Sequence, residues 1–182
     1  RDHVLPWVDK VLKTTDLRVW SAGCSSGQEP YTLAMITMEY LGANAENWDH
    51  TILASDISDK VLTAAKNGIY TREELGEVPH SWIKKYFQPS GDQKFAVSER
   101  LRKSVVFRNF NLLSPFNFKK PFHCIFCRNV MIYFDMPTKN SVINKFYDAL
   151  LPGGYFMIGH SESLSACDHK FKYIRPSIYQ KV

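Results

Sequence analysis

The sequence predicts an α/β fold: a mostly parallel sheet with an antiparallel terminal strand and a small inserted β subdomain. Short apolar runs alternate with amphipathic helical stretches, which is typical of a parallel sheet covered by helices. The run 124–127 is apolar throughout, as a strand buried on both faces requires. Turn residues at 88–92 and polar–apolar alternation after them predict a β subdomain inserted over about 88–108.

Length and composition indicate one folded domain. The chain has 182 residues, of which 45% are hydrophobic, and a net charge of +5 that would attract acidic partners without specifying nucleic acid. The opening residues predict an amphipathic helix over 2–12 rather than a signal peptide. Apolar runs are far shorter than the ~20 residues of a membrane span, so direct membrane insertion is not expected. Four cysteines without a disulfide framework favour the cytoplasm.

The first strand, turn and helix are predicted between residues 17 and 42. Gly23 and Gly27 allow a tight turn and a close approach of the backbone to a ligand. Pro30 suits the first helical turn, and Gly42 marks the end of the helix. A strand, glycine turn and helix at the start of an α/β sheet is where nucleotide-like cofactors bind.

The spacing of the glycines and one acidic residue argue against a dinucleotide. Gly23 and Gly27 are spaced G-x-x-x-G instead of G-x-G-x-x-G, and Glu29 at the helix entrance would repel a pyrophosphate. A carboxylate there suits a cation that carries an amino group or a sulfonium, and S-adenosylmethionine carries both without a phosphate. The alternative is that Glu29 is only a first-turn residue favoured by the helix dipole.

An acidic residue also ends the second predicted strand, at 51–56. In α/β folds an acid in this place accepts hydrogen bonds from ribose hydroxyls, and Asp56 is the candidate. The alternative is a turn or capping role. Ser58 is the predicted N-cap of the next helix, which ends at Gly68.

The later elements follow from the same signals. Thr71 and Glu74 form a capping-box pattern that predicts a helix start. The remaining predicted elements are a helix at 81–86, strands at 104–110 and 124–127, closure of a strand at 111–113, a helix at 138–151, a strand at 155–159, and an antiparallel pair at 171–174 and 177–181.

Cys124 and Cys127 form a C-x-x-C pattern, but a zinc or redox role is not expected. Residues three apart on a strand point to opposite faces, so the two sulfurs cannot share a metal. A second cysteine pair that would complete a zinc site is absent from the sequence.

Four segments together resemble the cofactor-binding domain of the CheR-type chemotaxis receptor methyltransferases. They are RVWSAGCSSGQEPY at 18–31, ASDI at 54–57, FHCIFCRNVMIYF at 122–134 and GHSE at 159–162. The resemblance implies a Rossmann-like class I methyltransferase sheet over residues 1–182. It also implies transfer of a methyl group from S-adenosylmethionine to receptor glutamates, which gives glutamate methyl esters and S-adenosylhomocysteine without a metal.

The resemblance also implies the site residues. Glu29 would anchor the methionine end of the cofactor and Asp56 its ribose, while Arg128 and Tyr133 would act near the reacting centre. The implied cofactor contacts are Ala22, Gly23, Glu29, Asp56, Asn111, Leu112, Arg128 and Asn129. A surface salt bridge is the alternative role for Arg128, and a core aromatic position is the alternative for Tyr133. The GHSE segment matches the family, but no role is assigned to it.

Chemotaxis receptors are the implied partners. Some members of the family dock a receptor C-terminal peptide on the β subdomain, where four basic residues would face an acidic tail: Lys94, Arg100, Arg102 and Lys103. An ordinary solvated hairpin is the alternative. The family also has an N-terminal helical domain and an N-x-T-x-F-F-R segment, which this chain lacks. Arg1 better matches the helix that follows that segment, so its arginine is expected to be missing.

Three other functions are weighed against this one. A nucleic-acid methyltransferase usually carries an Asp/Asn-Pro-Pro-aromatic turn after the fourth strand, where this chain has Arg128–Asn129–Val130–Met131, so nucleic acid is not an expected partner. A nicotinamide-dependent oxidoreductase is disfavoured by Glu29 and the glycine spacing. A non-catalytic module that binds S-adenosylmethionine stays open.

Overall fold

The computed structural model describes residues 15–182, so the predicted opening helix and Arg1 lie outside the described residues. The strands within this range are β1 Val19–Ala22, β2 Ile52–Asp56, β3 Ile69–Thr71, β4 Phe87–Pro89, β5 Lys94–Val97, β6 Val105–Asn109, β7 Phe122–Cys127, β8 Leu150–Ile158, β9 Lys172–Arg175 and β10 Ile178–Gln180. The helices are α1 Gln28–Leu41, α2 Asp59–Asn67, α3 His80–Tyr86, α4 Glu99–Lys103 and α5 Met136–Ala149. No helix formed by residues 15–182 has both the length and the apolar character to cross a bilayer.

The large sheet has the strand order β6-β2-β1-β7-β8-β10-β9. Its first five strands are parallel, and β10 is antiparallel to both β8 and β9, which confirms the predicted mostly parallel sheet and its antiparallel end. From β1 the chain first builds outwards through β2 and β6, and then returns to the other side of β1 with β7. The order therefore reverses between β1 and β7, and this is where open α/β sheets form a ligand crevice.

Both faces of the sheet are covered by apolar side chains. Val19 and Cys124 belong to the buried cluster under α1 and α2, whereas Trp20 and Cys127 belong to the cluster under α5. The two cysteines of the C-x-x-C pattern therefore point to opposite faces, as predicted. Burial raises the pKa of both thiols.

Trp20 lies at the centre of an aromatic cluster beneath α5. Its indole is fully buried, and its Nε1 donates to the Ser55 hydroxyl at 2.8 Å. Five phenylalanine rings have centroids 4.9 to 5.7 Å from it, namely Phe110, Phe116, Phe118, Phe122 and Phe146. Three of these rings come from the stretch 110–118, which has no helix or strand and is held largely by this packing.

The smaller sheet corrects the predicted bounds of the β subdomain. It has the antiparallel order β3-β5-β4 and therefore spans residues 69–97 rather than 88–108. The strand β6 belongs instead to the large sheet, where it pairs in parallel with β2. Tertiary pairing decides both outcomes, because β3 has only three residues and the short β6 carries no local signal that distinguishes the two sheets.

The basic residues of this region are dispersed. Arg102 lies on α4 and its guanidinium donates to the carbonyls of Lys66 and Asn67, at the C-terminal end of α2. Lys103 pairs with Glu99 on the same helix at 3.5 Å. Of the four residues, only Lys94 is on the small sheet itself, whereas Arg100, Arg102 and Lys103 lie on α4.

The capping-box pattern forms its hydrogen bonds without a helix. The Thr71 amide donates to Glu74 Oε2 at 2.8 Å, and the Glu74 amide donates to Thr71 Oγ1 at 3.2 Å. Residues 72–77 nevertheless form turns only, because Gly76 adopts φ +52° directly after the first turn. The predicted strand closure at 111–113 is also wrong, since β6 ends at Asn109 and a turn follows.

His123 on β7 is a buried titratable group. It is 1% exposed, and its Nδ1 accepts a hydrogen bond from the Arg18 amide at 2.9 Å. Burial, with a smaller contribution from Arg18, lowers the pKa of His123 from 6.5 to about 4, whereas nearby Asp16 acts in the opposite direction. The folded protein therefore keeps this imidazole neutral.

Acidification is expected to destabilise the fold through His123. Below pH 6.5 the unfolded chain binds a proton at this histidine, while the folded chain does not until about pH 4. The contribution of neutral His123 to the free energy of unfolding is complete above pH 6.5 and is lost as the pH falls towards 4. Between pH 7 and pH 5 the free energy of unfolding falls by about 2 kcal/mol through this group. Urea unfolding of the wild type and His123→Asn, which keeps an acceptor near Nδ1, would measure the difference. Equal pH slopes for both proteins would contradict the prediction.

Candidate functional site

A cavity of about 720 Å³ opens at the carboxyl ends of β1, β2, β6 and β7. This volume lies within the range of small-molecule sites, roughly 300 to 1,000 Å³. The predicted site residues on its wall are Gly23, Glu29, Asp56, Asn111, Leu112, Arg128, Asn129 and Tyr133. The residues on its wall that sequence reasoning missed are Cys24, Ser25, Gln28, Ile57, Phe110, Leu113, Val130 and Phe134.

The turn between β1 and α1 forms the floor of the cavity. The amides of Gly23 and Cys24 both donate to the Ser55 carbonyl at 2.8 Å, which ties this turn to β2. Gly23 has φ +79°, and a Cβ placed on it would overlap the Val130 side chain. Glycine is therefore required here both by the backbone angle and by the close approach of the segment after β7.

Glu29 lies in the first turn of α1 and faces two partners. The Ser21 hydroxyl donates to Glu29 Oε1 at 2.7 Å, and Arg128 Nη1 lies 3.2 Å from Glu29 Oε2. The Glu29 side chain is 20% exposed and that of Arg128 is 40% exposed. Each carboxylate oxygen retains room to accept a further hydrogen bond, so this pair offers a ligand an anchored negative charge and a nearby guanidinium.

Asp56 ends β2, where it fills the turn and capping role considered for it and also lines the cavity. Its carboxylate accepts the Ser25 amide and the Ser58 amide, each at 3.0 Å, so it fixes the β1–α1 turn and the entrance of α2. It also lies on the cavity wall, where its remaining acceptor capacity faces the space between the two turns.

The cavity wall formed by the residues after β6 is apolar. Leu112 is 7% exposed, whereas Leu113 is 55% exposed at the rim. The ammonium of Lys145 donates to the carbonyls of Leu112 and Ser114 at 2.5 and 3.1 Å and lies 4.9 Å from the centre of the Phe116 ring. Lys145, whose pKa is lowered by burial, thereby holds this wall from outside the cavity.

Replacing Lys145 by methionine is expected to weaken ligand binding about fivefold, because the carbonyls of residues 112 and 114 lose a charged donor. Titration with S-adenosylhomocysteine measures this effect. The control is Lys84→Met, which changes an exposed lysine on α3, a helix that contributes no residue to the cavity. An unchanged affinity in the Lys145 variant would show that the aromatic packing alone holds the wall.

The opposite part of the cavity wall is formed by the residues after β7. Asn129 adopts φ +58°, and the next residues form a 3₁₀ turn over Met131–Tyr133. Tyr133 is 80% exposed at the mouth, which excludes the core position considered for it. Arg128 does form a salt bridge, but its partner is Glu29 inside the site.

Ala22 is the predicted contact that does not line the cavity. It is fully buried and packs on the same face of the sheet as Trp20, two residues earlier. The side-chain alternation of a strand explains this, because residues 20 and 22 share one face of β1.

Cys24 is a cavity residue with an inert thiol. It is 3% exposed, and burial, with the negative charges of Asp56 and Glu29, raises its pKa to about 12. Such a thiol is not a nucleophile at neutral pH. Among residues 15–182 there is no cluster of three histidine, cysteine, aspartate or glutamate side chains that would hold a metal ion.

These features define a class of protein. A parallel sheet with this order, and a switch-point cavity with one carboxylate at the start of α1 and another at the end of β2, is a Rossmann-like nucleoside-binding domain of the methyltransferase type. The family model "CheR methyltransferase, SAM binding domain" matches residues 1–179. The chain belongs to this family.

Curated relatives carry the same family name. The chain is 45% identical to a chemotaxis protein methyltransferase of Borreliella burgdorferi over 99% of this chain and 65% of the relative. It is 37% identical to the chemotaxis protein methyltransferase of Escherichia coli K12 over 92% of this chain and 59% of the relative. The chain therefore spans about two thirds or less of the length of these relatives.

Solved structures agree on the fold. The CMeT domain of the citrinin polyketide synthase superimposes with a TM-score of 0.51 at 18% identity, over 85% of this chain and 32% of that chain. At this identity the similarity concerns the fold alone.

Proposed function

We propose that the protein transfers a methyl group from S-adenosylmethionine to glutamate side chains of chemotaxis receptors. The observation that carries this proposal is that Glu29, in the first turn of α1, and Asp56, at the end of β2, line the same cavity in a chain of the CheR family. The relatives are named chemotaxis protein methyltransferases, which supports a protein of the chemotaxis system as the substrate.

The cavity fits S-adenosylmethionine better than a dinucleotide. Two carboxylates line it, and the turn after β1 has the G-x-x-x-G spacing rather than that of a pyrophosphate cradle. In this proposal Glu29 binds the amino group of the methionine end and Asp56 binds the ribose hydroxyls. Asn111 and Leu112 would border the adenine on the apolar wall.

The bound cofactor supplies an electrophilic methyl group on a sulfonium. A glutamate carboxylate is ionised near pH 7, so one of its oxygens can form the new C–O bond while the S–C bond breaks. No general base and no covalent enzyme intermediate are needed. This agrees with the inert thiol of Cys24, and the task of the protein is to align the reactants and exclude water.

Arg128 and Tyr133 are the residues proposed to act at the reacting centre. Arg128 lines the cavity beside Glu29, and there its guanidinium can meet the acceptor carboxylate. Tyr133 stands exposed at the mouth, where its hydroxyl can orient the acceptor as it enters. Asn129 would line the pocket beside them.

We further propose that a receptor C-terminal peptide docks on the small sheet. Its outer strands β3 and β4 each pair with β5 on one side only within the described residues, so each has an edge to which an extended peptide can add. Titration of a receptor-tail peptide, compared with a scrambled peptide, tests this proposal. A cytoplasmic location is proposed with it, in keeping with four unpaired cysteines.

The test of the function uses the full-length gene product, labelled S-adenosylmethionine and a receptor cytoplasmic fragment. We expect label in the receptor that alkali releases as methanol, because a methyl ester is hydrolysed by base whereas an N-methyl group is not. Label in added DNA or RNA instead would establish the nucleic-acid alternative. Cofactor binding without any transfer would establish a non-catalytic module.

A further inference from the structure

Glu162, from the GHSE segment, lies outside the cavity but holds one of its walls. The chain turns back after β8, and the Glu162 amide donates to the Gly159 carbonyl at 3.1 Å. This turn aims the Glu162 carboxylate at the segment that follows β7, 31 to 33 residues earlier in the chain. Glu162 is absent from the cavity wall.

The carboxylate of Glu162 accepts three backbone amides. Its Oε2 receives the amides of Gly159 at 2.7 Å and Asn129 at 2.9 Å, and its Oε1 receives the amide of Met131 at 3.0 Å. Two of these donors belong to the irregular segment 128–131, where no strand partner is available to them. Hydrogen bonds to an ionised acceptor are roughly twice as strong as neutral ones.

The segment 128–131 is the part of the chain that needs such support. Asn129 has φ +58°, a left-handed angle that is uncommon for residues with a side chain, although asparagine tolerates it better than most. On the cavity side Val130 presses against Gly23, and Arg128 reaches Glu29. Glu162 accepts hydrogen bonds from the same segment outside the cavity. The segment is therefore held between the β1–α1 turn and this carboxylate.

Gly159 gives independent evidence for this close fit. A Cβ on Gly159 would lie 2.9 Å from Glu162 Oε2 and 3.1 Å from the Asn129 amide. Only glycine lets the end of β8 approach the segment closely enough for one carboxylate to bridge the two.

We propose that Glu162 is a positioning residue of the cofactor site. It acts through the main chain of residues 129 and 131 and so sets the positions of the Arg128 and Asn129 side chains toward the bound cofactor. This inference rests on the proposed function, because the ligand it concerns is S-adenosylmethionine.

The test is calorimetric titration of S-adenosylhomocysteine into the wild type, Glu162→Gln and Gly159→Ala. Glutamine keeps one acceptor but turns an NH₂ group toward an amide donor, and the alanine displaces the carboxylate without removing it. We expect both variants to bind at least tenfold more weakly. The matched control is Glu74→Gln, whose carboxylate accepts the Thr71 amide outside the cavity wall and whose loss should leave the affinity unchanged.

A readout specific to positioning is the combination with Arg128→Ala. If Glu162 acts through the 128–131 segment, the double variant Glu162→Gln/Arg128→Ala binds more tightly than the product of the two single effects predicts. Hydrogen exchange should also show faster exchange at the Asn129 and Met131 amides in Glu162→Gln, with β7 still protected.

Three outcomes are distinguishable. A wild type that fails to bind S-adenosylhomocysteine refutes the proposed function. If the wild type binds and both Glu162→Gln and Gly159→Ala bind with the affinity of the wild type, the positioning role is overturned while the proposed function stands. Effects of Glu162→Gln and Arg128→Ala that multiply fully also overturn it, because the two residues would then act independently.

Discussion

Replacing Glu29 by glutamine is expected to weaken the binding of S-adenosylhomocysteine about 100-fold, or about 2.7 kcal/mol. The ligand's ammonium loses its charged acceptor. The Arg128 guanidinium, 3.2 Å from the carboxylate in the wild type, is left facing that ammonium without compensation. Hydrogen bonds to charged groups contribute about 1.5 to 3 kcal/mol each, so this loss is of the expected size. Calorimetric titration at neutral pH measures it.

The matched control is Ser21→Ala, which removes the 2.7 Å hydrogen bond to Glu29 but keeps the carboxylate charge. We expect its affinity to stay within about threefold of the wild type. This corresponds to about 0.7 kcal/mol, which is less than the roughly 1 kcal/mol that a typical neutral hydrogen bond contributes. NAD should give no heat of binding in the same titration. A Glu29→Gln variant that binds like the wild type would reduce Glu29 to a first-turn residue of α1.

Gly23→Ala is expected to abolish measurable ligand binding and to lower the free energy of unfolding by about 2 to 5 kcal/mol. The left-handed angle costs a residue with a Cβ about 1 to 2 kcal/mol. The overlap with Val130 adds an overpacking cost of typically 1 to 3 kcal/mol. The segment after β7 must then move away from the turn that forms the cavity floor. Urea unfolding and titration of the same sample measure the two effects.

Gly91→Ala separates backbone strain from close approach. Gly91 has φ +75°, nearly the angle of Gly23, but no atom lies within 4 Å of the position of its Cβ. We expect a destabilisation of about 1 kcal/mol and an unchanged affinity. Equal losses in the two glycine variants would mean that the approach of Val130 contributes nothing.

The predictable part of the fold is the part with strong local signals. α1 begins beside Gly27 and ends before Gly42, as its apolar stripe and glycine stop predicted, and α2 ends before the left-handed Gly68. The bounds of the β subdomain were not predictable. β3 has three residues after a helix, and its strand character comes from pairing with β5. Thr71 and Glu74 show that a local signal can also mislead. The hydrogen bonds of their capping-box pattern form, but no helix follows them.

In the candidate site, too, the residues with a local sequence signal were predictable and those that act through long-range contacts were not. Glu29 and Asp56 follow directly from a strand, a turn and a helix, and both lie on the cavity. Lys145 and Glu162 could not be predicted in their roles, because each bonds to main-chain atoms about 31 to 33 residues away. Such contacts place no requirement on the partner's side chain and so leave no pattern in a single sequence.

The stretch 110–118 has two neighbours at once, since Phe110 and Leu112 wall the cavity while Phe110, Phe116 and Phe118 surround Trp20. The protein therefore cannot loosen this side of its ligand site without opening the centre of its core. Motion that other enzymes confine to a surface lid would here cost part of global stability. Occupancy should accordingly be visible as heat resistance: a ligand present at a thousandfold its Kd would add about 4 kcal/mol to the free energy of unfolding.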